Sequence, residues 1–509
     1  MSLAENNKLI AKNTIVLYIR IFFTMSISFY TSRVVLNSLG IVDYGIYNLV
    51  GGIVGMMAVL NDSMAGATQR WITIALGKND KENLIKVFSV GLTAQSVIVI
   101  IVLILCETIG LWYLYNYAVI PPERLKISFW VFQISIVTLC MNILNVPFWG
   151  TLMAHEKMSA FALFSVTDVL LKLIICFVLS ITAWDKLLVY SALLFVSFLI
   201  NVVFLQIYCH KKFIEARIRF GWDKTLYKEM LHLALLTISA NLATMGYTQG
   251  ITLLTNMFFG PVMNAAAGIA SQAGNIVNQF SGSFQTAINP QITKNYATKN
   301  YNEMHKLVFR SAKFSYFLML FFTIPLFFEA DILMKLWLKI VPDHAVNFLR
   351  IGLFVSMFMA VRNPLVIAAI ANGHIKKYQS VIVSILLLIL PISYSLLKLG
   401  GIPETTSIVL LCIMIITVFA SAFMLKELIR LNFNEFIQQV IIKIIIVTLL
   451  SFCLPFLIIL NMDESIIRLI TLTVSSTISS TLIIYFLGLT ISERQFTLSI
   501  INNKLKRIQ

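Results

Sequence analysis

The residues that could do chemistry in this sequence are charged side chains placed inside long apolar stretches. Arg20 lies near the middle of the apolar run 14–35, and Thr24, Ser28 and Thr31 follow it at spacings of three to four residues. This spacing puts the four side chains on one face of a helix. A charge at membrane depth costs roughly 2.5 to 3.5 kcal/mol unless it faces water or a partner. The pattern predicts a polar cavity wall; alternatively, Arg20 reaches the headgroups or neutralises a carboxylate.

Further charges lie in other apolar stretches. Asp168 and Lys172 are four residues apart, so they share a helical face and can form an ion pair. The alternative is a carboxylate whose protonation changes during a transport cycle. Arg362 lies two residues before Pro364, and a proline frees backbone carbonyls and can bend a helix toward a cavity. Arg33, near the end of its apolar run, is either an interface anchor or a guide for an anionic headgroup.

Two stripes of small and polar residues indicate an internal repeat. A shift of 220 residues places Gly40 on Gly260, and the two stripes then align at helical spacing, which is unlike a face turned to lipid. The first stripe comprises Tyr44, Asn48, Gly51, Gly55, Val59, Asp62, Gly66 and Gln69, and the second comprises Asn264, Gly268, Ser271, Asn275, Gln279, Gly282, Thr286 and Asn289. Pro147 and Pro364 also correspond. The repeat unit is about six helices, which predicts two parallel lobes related by an axis along the membrane normal.

Polar side chains in the two stripes are candidates for lining a cavity. Tyr44, Asn48 and Asp62 belong to the first stripe, and Asp62 could contact a ligand or pair with a nearby base. In the second stretch, four amides could hydrogen-bond sugar hydroxyls, although amides also join helices to one another. These amides are Gln272, Asn275, Asn278 and Gln279.

The elements that must position these residues follow from composition. The 509 residues are 59% hydrophobic and 12% charged, with a mean hydropathy of +0.87, which excludes a soluble globular domain. A bilayer core needs about 20 apolar residues per helix, so we predict an all-α polytopic membrane protein with about fourteen helices. The predicted spans are 13–35, 44–67, 87–111, 126–150, 159–182, 185–208, 230–255, 264–290, 308–330, 346–370, 378–399, 405–427, 440–460 and 466–488.

These spans divide the chain into predicted domains. Residues 1–208 and 230–430 would form the two six-helix lobes, and 209–229 an interfacial cytoplasmic linker. Residues 431–509 would add two helices and a basic tail.

The net charge of +16 concerns topology rather than nucleic acid. About 27 of the 39 Lys and Arg residues lie in loops on the side of the N-terminus and about nine in loops on the opposite side. We therefore expect both termini in the cytoplasm, basic clusters at anionic lipid headgroups, and no nucleic-acid partner.

Several other functions are disfavoured by what the sequence lacks. The six cysteines lie in or beside apolar spans without a CxxC pair or a histidine at ligand spacing, so we expect neither disulfides nor a metal. The polar N-terminus has no small-residue cleavage site, so we do not expect a removable signal peptide. No paired catalytic carboxylates or nucleotide-binding glycine loop is visible, so we expect no cofactor and no enzyme.

Three segments carry a resemblance to a known family. The runs SRVVLNSLGIVDYGIYNLVGG at 32–52, SMAGATQRW at 63–71 and LGKNDKENLIKVF at 76–88 resemble the Wzx-like polysaccharide flippases of the multidrug/oligosaccharidyl-lipid/polysaccharide (MOP) exporter superfamily. The resemblance implies a bacterial inner-membrane protein of two lobes around a central cavity. It also implies alternating-access transport of an undecaprenyl-pyrophosphate-linked oligosaccharide, with a polysaccharide polymerase and chain-length machinery as further partners. Fourteen spans are similar to the lipid II flippase branch.

The charged residues fit the role that the resemblance implies. A pyrophosphate needs fixed cations in a cavity, and Arg20, Lys172, Arg362 and Arg33 are the candidates. Two alternatives remain: a cation-coupled multidrug antiporter, which would favour buried carboxylates, and a membrane enzyme of glycan assembly.

Overall fold

The structure is a computed structural model that describes residues 25–77, 80–155, 157–217, 219, 221–372, 376–491 and 493–495. Within these ranges it does not describe the side chains of 58–67 and 232–243 or of some single positions. Arg20 and Thr24, and the side chain of Asp62, therefore lie outside the described residues.

All regular secondary structure in the described ranges is helical. Fourteen long helices follow one another: α1 Met25–Leu39, α2 Ile41–Gly77, α3 Lys81–Asn116, α4 Pro122–Ala154, α5 Met158–Ile181, α6 Lys186–Lys212, α7 Lys224–Phe259, α8 Pro261–Ala297, α9 Tyr301–Phe328, α10 Ala345–Asn372, α11 Lys376–Lys398, α12 Thr405–Ile429, α13 Phe433–Asn461 and α14 Ile466–Gly488. A short helix, Ala330–Trp337, lies between α9 and α10. The predicted all-α polytopic fold is confirmed, and every predicted span falls on one helix.

Most of these helices suit a bilayer. Ten of them, α3 to α6 and α9 to α14, are long and apolar enough to cross a membrane. The bent pair of α1 and the first half of α2 would make an eleventh span if it is counted as one. Large apolar side chains such as Ile104 on α3 and Phe177 on α5 are exposed, as expected of surfaces that face lipid.

The helix breaks repeat along the chain at the shift that the sequence suggested. Gly40 and Gly260 have φ of +79° and +76°, a region that favours glycine, and each ends one helix and begins the next. Asp80 and Asn300, also 220 residues apart, cap α3 and α9 through their side chains. The same local devices therefore recur at aligned positions.

The chain divides at Ala265 into two compact units, a first unit up to Ala265 and a second unit from Ala266. The predicted lobe boundaries at 208 and 230 stay predictions. In the first unit, α2 packs against α3, α4 and α7. Its core joins Ile46 and Ile53 of α2 to Val102 of α3 and Phe132 of α4, all of them buried. In the second unit, α10 packs against α9 and α12.

Two buried ion pairs hold the last two helices to the second unit. Arg468, near the start of α14, makes two hydrogen bonds of 2.8 and 2.9 Å to the carboxylate of Glu329, which follows α9. Beyond the other end of α14, Glu493 accepts a 2.7 Å hydrogen bond from Lys313 in α9, and both side chains are almost fully buried. Because each pair is enclosed, loss of one partner would leave an uncompensated charge.

The turn between α7 and α8 yields a stability prediction. A Cβ on Gly45 of α2 would overlap the backbone oxygen of Pro261, whereas a Cβ on Gly51 would meet nothing within 4 Å. We expect Gly45→Ala to destabilise the protein by about 1 to 3 kcal/mol, as overpacking does. Gly51→Ala, the matched control, should be neutral or stabilising, since alanine favours helix. Thermal unfolding of both variants in detergent checks this, and equal melting temperatures would contradict it.

Candidate functional site

One face of α8 is polar and open in the second unit. Ser271, Asn275, Gln279 and Gly282 recur at three- to four-residue spacing and are all exposed. Polar side chains on a spanning helix are tolerated where they face water or protein rather than lipid. The exposed α8 face therefore forms one wall of the candidate site. Gln272, on its flank, is half-buried.

The flank of the exposed α8 face is fixed by amide hydrogen bonds. Asn278 donates to the hydroxyl of Ser356 in α10 at 2.9 Å. Buried Gln285 donates to the hydroxyl of Ser315 at 2.9 Å and to the carbonyl of Ala360 at 2.8 Å. Asn278 thus joins helices, the alternative weighed for these amides, and the bonds hold the orientation of α8 against α9 and α10.

Gln285 also reaches the residue beside Arg362. The amide of Asn363 donates to the side-chain oxygen of Gln285 at 2.5 Å. Neither amide was among the predicted site residues, because a single sequence does not show which polar positions of a stripe become buried.

Arg362 is a half-buried cation of α10 with spare hydrogen-bonding capacity. Its guanidinium interacts with the hydroxyl of Tyr378 in α11, and that hydroxyl donates to Ser421 in α12 at 3.0 Å. The Nε atom of Arg362 is buried and has no hydrogen-bond partner in the structure. No carboxylate among the described residues pairs with Arg362, which leaves its charge available to an anion.

In the first unit, Arg33 and the Asp168–Lys172 pair lie on neighbouring helices. Arg33 is half-buried in α1 and pairs with no carboxylate of the described chain. α1 packs on α5, where the thiol of Cys176 lies 3.7 Å from the carbonyl oxygen of Thr31.

The predicted ion pair within α5 is present. The Lys172 ammonium lies 2.7 Å from the Asp168 carboxylate, and roughly two fifths of each side chain is exposed. Lys172 is nine residues after the lipid-type residue Leu163, which is about two and a half turns at 3.6 residues per turn. The pair therefore lies on the opposite side of α5 from Leu163.

The remaining predicted residues of the first unit are packed rather than open. Tyr44 is 8% exposed, and Asn48 donates to the carbonyl of Tyr44 at 3.0 Å. The rings of Tyr47 and Tyr190 lie 5.1 Å apart and their hydroxyls interact. Ser28 is half-buried in α1, and its carbonyl accepts a 3.1 Å hydrogen bond from the hydroxyl of Thr31. Cavity lining by these residues stays a prediction.

An ionic network that the sequence reasoning missed joins the starts of three helices in the first unit. Arg124 in the first turn of α4 binds the carboxylate of Asp43 in the first turn of α2, through Nε at 2.7 Å and through Nη2. Its Nη1 donates to Asp185 at 2.5 Å. Asp185 also caps α6 by accepting from the amides of Leu187 and Leu188.

A related contact occurs at the aligned position of the second unit. His344 and Asn347, at the start of α10, each lie 2.7 Å from Glu404, which immediately precedes α12. His344 is 220 residues after Arg124, and Glu404 is 219 after Asp185. Burial raises the pKa of Glu404, but the hydrogen bonds from His344 and Asn347 outweigh it, so the pKa lies below its ordinary value. The repeated spacing of ionisable residues before spans is the signal that would have found both contacts.

Comparison with known proteins identifies the fold. No family model matches the sequence, and no curated protein matches it. The lipid II flippase MurJ, in an inward closed conformation, has a TM-score of 0.70 and 13% identity over 93% of this chain and 99% of that chain. An inward-facing MATE family multidrug resistance transporter of the MOP superfamily has a TM-score of 0.63 and 13% identity over 80% of this chain and 96% of that chain.

A further similar structure is a MOP superfamily transporter from Pyrococcus furiosus, with a TM-score of 0.57 and 12% identity over 84% of this chain and 96% of that chain. At such low identity these similarities establish the fold. The chain is a multi-pass membrane protein with the fold of the MOP superfamily transporters.

The network around Arg124 gives a second stability prediction. Arg124→Ala would leave Asp43 and Asp185 close together without a cation, and both carboxylates are largely buried. We expect a loss of about 3 kcal/mol in the free energy of unfolding, the lower end for a broken buried pair. Lys126→Ala, two residues along α4 at an exposed position, is the matched control and should change little. Chemical unfolding in detergent measures both, and a loss no larger than that of the control would contradict the prediction.

Proposed function

We propose that this protein is a flippase that moves an undecaprenyl-pyrophosphate-linked oligosaccharide across the bacterial inner membrane by alternating access, for the synthesis of a surface polysaccharide. The observation that carries this proposal is the combination of Arg362, a cation without a carboxylate, with the exposed amide face of α8. Asn363, next to Arg362, is bonded to α8 through Gln285. Cation and amides therefore belong to one packed assembly of α8, α10 and α11.

A pyrophosphate is a suitable ligand for such a cation. Arginine presents a planar fork of donors that matches phosphate oxygens, and it stays charged when partly desolvated. The Nε atom of Arg362 has no protein partner, so it could donate to a phosphate oxygen. Arg33 would serve the same purpose in the first unit, and the predicted contribution of Arg20 and Lys172 remains part of the proposal.

The oligosaccharide would be recognised by neutral polar groups. Sugar hydroxyls donate and accept hydrogen bonds, and side-chain amides do both. Asn275 and Gln279 are exposed on one α8 face, next to the serine hydroxyl of Ser271. Because Gln285 and Asn278 fix the flank of this helix, the amides are held in position before a ligand arrives.

The second candidate is a cation-coupled multidrug antiporter, which the fold accommodates equally well because MATE transporters share it. Such a pump would need buried carboxylates that are free to bind a cation. Every buried carboxylate of the described chain already has a basic partner: Asp43 pairs with Arg124, Glu215 with His155, Glu329 with Arg468, Glu404 with His344 and Glu493 with Lys313. The anionic substrate is therefore the better-supported one.

The proposal includes a location and partners. The excess of Lys and Arg in loops on the side of the N-terminus supports cytoplasmic termini. A glycan delivered to the outer leaflet would pass to a polysaccharide polymerase and its chain-length machinery.

Substitution of Arg362 tests the proposal. We expect Arg362→Ala to lower glycan export about tenfold or more, since a hydrogen bond to a charged group contributes about 1.5 to 3 kcal/mol. Arg362→Lys should be intermediate, because it keeps the charge and loses the fork. The measurements are surface polysaccharide and lipid-linked oligosaccharide inside cells that carry only the variant, with the membrane level of the protein determined in parallel.

A matched control lies on the same helix. Arg350 in α10 already pairs with Asp331 at 3.0 Å and with the carbonyl of Phe327 at 2.9 Å, so Arg350→Ala should leave export near normal. Equal export by the Arg362→Ala and Arg350→Ala variants would remove Arg362 from substrate binding. Drug sensitivity without accumulated oligosaccharide in cells that lack the protein would favour the antiporter.

A further inference from the structure

A cavity of about 270 Å³ opens at the predicted cytoplasmic end of the first unit. It lies between the end of α2, the start of α3, the end of α4 and the segment that follows α6. Its polar lining consists of Asp80, Lys81, His155, Lys212 and Glu215. Leucine and isoleucine side chains of the same helices, and Ile214, supply the apolar lining. The cavity is distinct from the exposed α8 face, which belongs to the second unit.

The two carboxylates of this cavity are already bound to protein groups. Glu215, only 3% exposed, lies 2.6 Å from the Nε2 atom of His155. The ring of His155 stacks on Phe213 with centroids 4.2 Å apart, which fixes both side chains. Asp80 accepts a 3.0 Å hydrogen bond from the amide of Asn83 as the cap of α3.

The two lysines differ from the carboxylates because they have no counter-charge in the described chain. Lys81 and Lys212 are exposed, and neither forms an ion pair with a described residue. They come from different helices, the first from α3 and the second from α6, and line the same cavity. Two unpaired ammonium groups on one small cavity favour an anion with several oxygen atoms.

The surroundings of the cavity match the surface of a membrane. Ile214 and Trp222, in the segment between α6 and α7, are 60% and 63% exposed. The basic residues His210, Lys211 and Lys212 end α6 beside them. Exposed apolar side chains interleaved with basic ones are typical of a segment that lies at the headgroup level of a leaflet.

We propose that the cavity binds a phosphate group between Lys81 and Lys212, with the glycerol headgroup of a membrane phospholipid as its source and the apolar lining in contact with the start of the acyl chains. The volume supports a small ligand, since sites for drug-sized molecules occupy about 300 to 1,000 Å³ and a lipid-linked oligosaccharide is larger still. The cavity is therefore a resident lipid site, separate from the transported substrate, that joins the ends of α2, α3, α4 and α6.

The test is lipid binding by the purified full-length protein, followed by native mass spectrometry. Phosphatidylglycerol is titrated in one arm and glycerol 3-phosphate in the other. We expect one tightly retained phosphatidylglycerol, bound at least about fivefold more weakly by Lys212→Gln and by Lys81→Gln. Lys211→Gln is the matched control, because Lys211 adjoins Lys212 and does not line the cavity, so its affinity should match that of the wild type.

Each outcome has a defined meaning. Retention of phosphatidylglycerol alone, sensitive to both cavity lysines, supports a lipid as the source. Equally tight glycerol 3-phosphate with the same sensitivity supports the phosphate site and assigns it a soluble source. An equal loss of affinity in the Lys211→Gln variant, or no loss with either cavity lysine, would overturn the site. The Lys81 variant keeps the test decisive if the Lys212 variant does not fold.

Discussion

The cost of a charge in hydrocarbon is the constraint on which the rest of this structure depends. A buried ion that loses its partner destabilises a protein by several kcal/mol, so charges inside the spans are either paired or placed where water or a ligand can reach them. The described chain follows this rule at the ends of its helices. Arg124 ties together the starts of α2, α4 and α6, and two buried pairs fasten α14 to the second unit. These contacts are directional, which apolar packing between helices is not.

Once these pairs are accounted for, the unpaired cations become informative. Arg362 keeps an unfilled donor within a layer of bonded side chains, beside the helix whose amides form an open polar face. Lys81 and Lys212 keep unpaired charges at the other unit's small cavity. In both places the protein provides positive charge without a carboxylate to neutralise it, and a phosphate group supplies the missing charge. The two sites differ in size and in setting, which separates a transported lipid from a resident one.

The sequence predicted the features that depend on local spacing. Fourteen apolar runs became fourteen helices, Gly40 and Gly260 became equivalent turns, and the four-residue spacing of Asp168 and Lys172 became an ion pair. Contacts between distant residues were out of reach: Arg124 pairs with residues 81 and 61 positions away, and Lys313 with one 180 positions away. Which amides of α8 are open and which are bonded also depends on neighbouring helices. The similarity of Gln279 and Gln285 as sequence conceals that one is exposed and the other buried.

Transport by the purified protein in sealed proteoliposomes is the most direct test of the central claim. A fluorescent undecaprenyl-pyrophosphate oligosaccharide would be placed in one leaflet, and its arrival in the other would be followed by an impermeant quencher. The account predicts translocation well above that of protein-free liposomes, and no accumulation of a cationic drug dye under an imposed proton or sodium gradient. Accumulation of the dye, with the pyrophosphate-linked lipid no faster than in empty liposomes, would contradict it.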